Sequence, residues 1–128
     1  MEWQFSADRP IYVQLVEQIE RAVVTGVFAP GQKLPGVREL AGQAGVNPNT
    51  MQRALAELEG KGLLYAQRTS GRFVTDDGEK IAGLRGELAT KLSVDYIVAM
   101  GGLGIGAVEA AGYVRTTAEN MEKKESEA

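Results

Sequence analysis

The side chains best suited to specific chemistry fall in one short run, Asn47-Pro48-Asn49-Thr50-Met51-Gln52-Arg53. Asn49 and Gln52 carry amides able to pair bidentately with adenine, and Arg53 can read guanine or hold a phosphate. Short polar residues in the first turns of a helix are the ones that reach base edges in a major groove. A purely local reading of the same residues also exists. Asn49 and Thr50 would then support the helix start, and Arg53 would pair with Glu57 one turn on. Arg38 offers a similar choice between a nucleic-acid contact and a salt bridge to a nearby acid. Arg68 and Arg72, around Ser70-Gly71, can enter a minor groove or keep a hairpin edge soluble. Lys33 and Lys61 are candidate phosphate neighbours.

Elements must aim these groups, and the flanking sequence predicts them. Val37, Leu40, Ala41 and Ala44 recur at helical spacing after Leu34-Pro35-Gly36. Gly45 closes that run where a left-handed residue is often required. Asn47 is a good N-cap, and Pro48 suits the first helical position because its missing N–H is not needed there. A second helix follows with Met51, Ala54, Leu55 and Leu58 inward, and it stops near Gly60-Lys61-Gly62. Leu63–Gln67 and Arg72–Thr75 around Thr69-Ser70-Gly71 predict a hairpin, with Leu34 adding a residue or two of strand beside it. Before these, Pro10 opens a helix to about Thr25-Gly26, with an inward stripe of Ile11 or Tyr12, Leu15, Ile19 and Val23. The expected fold is mainly α with a small β-hairpin: a winged helix-turn-helix over residues 1–75 and a two-helix dimerisation tail over 76–128.

In the tail, Asp76, Asp77 and Glu79 sit where a helix dipole favours carboxylates. They are read as helix-start acids rather than ligands, and no metal or cofactor is expected. Ile81, Leu84, Leu88 and Leu92 form the stripe of a helix to about Met100. Gly101–Gly106 breaks the chain. A last helix is expected to carry Leu103, Ala107, Ala111, Val114, Ala118 and Met121 along one side, a spacing that resembles a helix-pairing seam. Two such helices have too little core alone, so they need each other, the first domain or a second copy. The glycine break leaves room for a shallow effector site, though no residue names a ligand.

Composition narrows the function. The 128 residues contain no His and no Cys, so the commonest catalytic bases and nucleophiles are missing, as are disulfides. Asp95 to Ala107 does resemble a strand followed by a dinucleotide fingerprint at Gly102, Gly104 and Ala107. That fingerprint needs a second strand with an acidic end, and the chain provides only a polar stretch. An enzyme is not expected. Net charge is −3 overall, but residues 1–75 carry +1 and 76–128 carry −4, so the whole-chain value says little about the field at the motif. Without a transmembrane-length run or an N-terminal signal, the expectation is a cytoplasmic protein with no membrane partner. A winged helix used only for protein contact would show an apolar or acidic outer face over residues 48–59, which Asn49, Gln52 and Arg53 do not give.

Pro10-Ile-Tyr-Val-Gln, Gly26-Val-Phe-Ala-Pro-Gly-Gln-Lys-Leu-Pro, Arg38-Glu-Leu-Ala, Gly45-Val-Asn-Pro-Asn-Thr, Arg53-Ala-Leu and Gly71-Arg-Phe-Val together resemble the GntR family of bacterial transcription regulators. The VNPNT turn and the short tail look most like its YtrA subfamily. The resemblance implies a homodimer on a palindromic operator, most often a repressor, with half-sites on the order of 34 Å apart or a multiple of that. It also implies DNA contacts from Arg38, Asn49, Thr50, Gln52, Arg53 and the wing at Ser70, Gly71 and Arg72. One departure stands out. The family usually has Ser where this chain has Gly36, so a hydroxyl contact to phosphate is missing, although a backbone N–H at a helix start can still bind one.

Overall fold

The computed structural model describes residues 1–127, and the order of elements is α1 (Ile11–Val24), α2 (Val37–Ala44), α3 (Pro48–Gly60), β1 (Leu64–Gln67), β2 (Gly71–Val74), α4 (Gly78–Gly101) and α5 (Ala107–Glu127). Two compact units divide it, one over Met1–Gly86 and one from Glu87 onward, with the junction inside α4.

In the first unit α1, α2 and α3 enclose the core expected from the apolar spacing. Leu15, Ile19, Leu40, Met51, Leu55 and Leu58 are fully buried, and Leu64 and Val74 of the hairpin close it. Of the two alternatives at the start of α1, Ile11 is exposed and Tyr12 is half-buried, so the true core stripe begins at Leu15. Each helix end has its own cause. Pro10 stands at the N-cap of α1 in an extended conformation. Gly45 terminates α2 at φ 71°, a left-handed conformation that costs glycine little. Asn47 then caps α3 by accepting from the Asn49 N–H at 2.8 Å, with Pro48 in the first turn.

The hairpin is antiparallel, with Leu64 opposite Val74 and Gln67 opposite Gly71. Its third edge comes from the preceding loop. Lys33 bridges Phe73, the Leu34 N–H donates to the Arg72 carbonyl at 2.9 Å, and the Val74 N–H donates to the Gln32 carbonyl at 2.9 Å. The short strand expected at Leu34 is therefore a bridge centred one residue earlier.

Sequence periodicity did not anticipate the N-terminal arm. Gln14, buried on α1, accepts from the Ser6 N–H at 2.8 Å and donates to the Ser6 and Arg9 carbonyls. One turn on, Gln18 accepts from the Gln4 N–H and donates to the Gln4 carbonyl. The two side-chain amides satisfy the arm's backbone as a neighbouring strand would. Trp3 and Phe5 stack against each other on the arm, 6.4 Å between ring centroids.

The Asp77 carboxylate accepts from the Glu79 and Lys80 N–H groups, and Thr75 Oγ accepts from the Asp77 N–H, so these residues cap α4. Among the described residues no acidic cluster is arranged to hold a metal. Leu84 is buried in the first unit at 8% exposure, Leu88 is half-buried and Leu92 is 60% exposed, so the α4 stripe passes from core to open surface. In the second unit α4 and α5 face each other, and the Tyr96 hydroxyl donates to the Ala110 carbonyl at 2.7 Å. Leu103 is a correction. It lies in the glycine-rich turn before α5 rather than on the last helix, and it is 75% exposed. The stretch 95–100, which resembled a strand before a glycine fingerprint, is helix, so the fingerprint lacks the strand its phosphate turn requires.

Candidate nucleic-acid interface

Helix α3 turns Met51, Ala54, Leu55 and Leu58 into the core and presents Asn49, Gln52, Arg53 and Ala56 to solvent, with Thr50 at the margin. At roughly 100° per residue, Glu59 and Arg53 stand on opposite borders of that exposed strip, and Asn49, Gln52 and Ala56 lie between them. Both borders are fixed by contacts to other elements. On one, Arg72 of the wing forms an ion pair with Glu59, the side chains 17% and 31% exposed. On the other, the Arg53 guanidinium lies 4.0 Å above the Tyr12 ring of α1. The Tyr12 hydroxyl donates to Glu57. That bond favours the protonated phenol, so the Tyr12 pKa is raised above its usual value, with desolvation and the Glu57 charge adding to the shift.

The candidate residues are engaged in different ways; the Asn47 cap was expected from the sequence, whereas the partners of Arg53, Arg72 and Lys61 were not. Arg53 stacks on Tyr12 and makes no ion pair with Glu57. Arg72 is engaged by Glu59 and so is partly neutralised. Asn47 uses its side-chain oxygen on the α3 cap. Arg38 on the first turn of α2 and Arg68 in the hairpin turn are exposed and form no ion pair among the described residues. Ser70 and Gly71 complete that turn, where the Ser70 N–H donates to the Gln67 carbonyl at 3.2 Å. The Lys33 side chain lies across Gly71, whose φ of 111° disfavours any residue with a Cβ. Lys61 pairs with Glu20 at 3.4 Å, which reduces its availability to a phosphate. Gly36 is the N-cap of α2 at φ −62°, ψ 161°, with no side-chain cap and open space where a Cβ would stand.

What this surface can do follows from its groups. A rigid helix face bearing two amides, bordered by a guanidinium with free donors and flanked by exposed Arg38 and Arg68, suits hydrogen bonding to base edges and phosphates. It holds no nucleophile–base pair.

A family model described as bacterial regulatory proteins, gntR family, matches residues 11–74. The chain is 35% identical to the uncharacterized HTH-type transcriptional regulator YhcF of Bacillus subtilis, over 93% of this chain and 98% of that protein. It is 39% identical to the HTH-type transcriptional repressor YtrA of the same organism, over 55% of this chain and 54% of that protein. Among solved structures, a GntR family transcriptional regulator from Listeria monocytogenes superposes with a TM-score of 0.81 at 39% identity, covering 88% of this chain and 98% of that one. The DNA-binding domain of AraR in complex with operator ORX1 superposes at 0.53 with 34% identity, covering 59% of this chain and 96% of that one.

Proposed function

The chain belongs to the GntR family of bacterial regulatory proteins and is a DNA-binding transcriptional regulator rather than an enzyme; from that premise we propose that it is a cytoplasmic, YtrA-like repressor acting as a homodimer on a palindromic operator. The observation that carries the reading is the exposed strip of α3, with Asn49 and Gln52 outward and both borders held by Tyr12–Arg53 and Arg72–Glu59. Asn49 and Gln52 read bases, and Thr50 supports them at the groove. Arg38, Lys33, Arg68 and the Ser70–Gly71 turn hold phosphates, as does the backbone N–H array at Gly36. Arg72 fixes the wing through Glu59. AraR, whose DNA-binding domain superposes on this one, has been solved with an operator, and YtrA is a repressor. Both support the reading.

Residues 1–75 bind DNA in this account, and the tail over 76–128 dimerises through its part beyond Leu84, which is buried in the first unit and is not available to a second copy. An apolar groove of about 430 Å³ runs along α4 and α5, bordered by Leu92, Ile97, Ala107, Ala111 and Val114. A second copy would bury it, and Ala118 continues the same side of α5. A two-fold dimer would match a palindrome because each half-site then meets the same face. No helix among the described residues is long and apolar enough to cross a membrane.

The test is selection of duplexes from a randomised pool, followed by fluorescence-anisotropy binding at two salt concentrations and mass measurement of the free protein. A palindromic consensus, binding that weakens steeply with salt and a dimeric mass are expected. Enrichment of no sequence by a dimeric, folded protein would refute the reading.

A further inference from the structure

Charged side chains in the first unit are held in two distinct ways. Arg9 is bound by Glu17 through two hydrogen bonds of 2.8 and 3.0 Å, and Arg72 is bound by Glu59. Both terminal nitrogens of Arg9 and the Nε–H of Arg72 are directed at protein carboxylates. Arg53 is fixed instead by the face of an aromatic ring, 4.0 Å above Tyr12, and it has no carboxylate partner among the described residues. A cation stacked on a π-face is held in place while the N–H groups around its edge stay available. The ring is itself held, because the Tyr12 hydroxyl donates to Glu57, the residue one turn beyond Arg53 on the same helix. Glu57 is thereby occupied by a neutral donor from α1 instead of closing onto Arg53.

We propose that Tyr12 is a positioning residue for DNA binding: its ring, anchored by Glu57, presents the Arg53 guanidinium to a phosphate on the strand that borders the recognition helix. The phosphate follows from location. Arg53 is at the α1 border of the exposed strip, while Asn49 and Gln52 occupy its centre, where base edges would lie. A guanidinium at the border meets backbone oxygens, for which its planar fork is suited. The benefit of Tyr12 is pre-organisation. A free arginine surrenders rotamer freedom on binding, and one already stacked surrenders less. The inference rests on the operator-binding reading but goes further, since Tyr12 contacts no nucleic acid in it and acts only through Arg53.

A double-mutant cycle tests this on the duplex recovered by selection, with thermal unfolding recorded for every variant. Tyr12→Leu is expected to weaken binding roughly two- to fivefold in the wild-type background. It should have no further effect once Arg53→Ala is present. Tyr12→Phe keeps the ring but releases Glu57, so it should lose part of this effect and bind between wild type and Tyr12→Leu. Arg53→Ala should lower the salt dependence by about one phosphate contact, and Tyr12→Leu should leave that dependence in place. Should Tyr12→Leu fail to fold, Tyr12→Gln removes the ring with a good helix former and closes the same cycle. Losses that add in the double variant, or a Tyr12→Leu protein that binds as wild type, overturn the proposal. Failure of the wild type to bind any duplex would instead remove the operator reading beneath it.

Discussion

Replacing Gly36 by serine should make this protein more stable and a better DNA binder. Gly36 caps α2 with φ −62° and ψ 161°, a conformation any L-residue adopts, and nothing lies within 4 Å of the place a Cβ would occupy. The cap makes no side-chain hydrogen bond, and Glu39 already stands three residues on. Gly36→Ser therefore creates the sequence Ser-Val-Arg-Glu, a capping box in which hydroxyl and carboxylate each satisfy a backbone N–H. Two contributions add. The hydroxyl improves on glycine as a cap by a few tenths of a kcal/mol. Reduced freedom of the unfolded chain contributes about 0.4–1 kcal/mol. Their sum is about 1 kcal/mol, or roughly 4–8 °C in the melting temperature of a unit this size. Gly36→Ala is the control, since it gains the entropic part but is a poor cap. Circular dichroism melts and urea titrations of the three proteins measure the difference, and anisotropy on the selected duplex measures the added phosphate contact. A serine variant no more stable than the alanine variant would refute the capping argument. A stabilised variant with unchanged DNA affinity would refute the placement of Gly36 at a phosphate.

Three further outcomes are expected. Asn47→Ala removes the bond to the Asn49 N–H and should cost about 1 kcal/mol in urea unfolding; a loss of DNA affinity without that cost would mean Asn47 touches DNA directly. Leu92→Glu, on an exposed part of α4, should halve the mass seen by sedimentation while the winged unit stays folded, whereas Leu84→Glu, inside the first unit, should lower the melting temperature. The raised pKa of Tyr12 predicts an alkaline effect: its folded value lies above the unfolded value near 10, so the stabilisation is complete below pH 10 and is lost as pH rises through the folded value. Tyr12→Phe should flatten that limb of the stability profile, and an unchanged profile would show that the hydroxyl bond to Glu57 does not persist in solution.

The sequence alone was enough for what nearest neighbours along the chain control. The bounds of α2 and α3, the Gly45 stop, the Asn47 cap and the buried faces of each helix follow from 3.6-residue periodicity and from backbone groups that must be satisfied within a turn. The outward Asn49, Gln52 and Arg53 are the complement of the inward Met51, Ala54, Leu55 and Leu58, so the site was legible as the other side of the core. Contacts distant in sequence were decided by the tertiary structure. Arg53 lies on Tyr12 instead of pairing with Glu57, Arg72 is drawn to Glu59, and Gln14 and Gln18 fasten the arm at Ser6 and Gln4. Leu103 has the spacing of a seam residue but falls in the turn, because the glycine-rich break runs past it before α5 starts at Ala107. The polar contacts share one physical reason. Periodicity and caps are written in local spacing, whereas a long polar side chain has several partners of similar energy, and only the packing of α1, α3 and the wing brings one of them within reach.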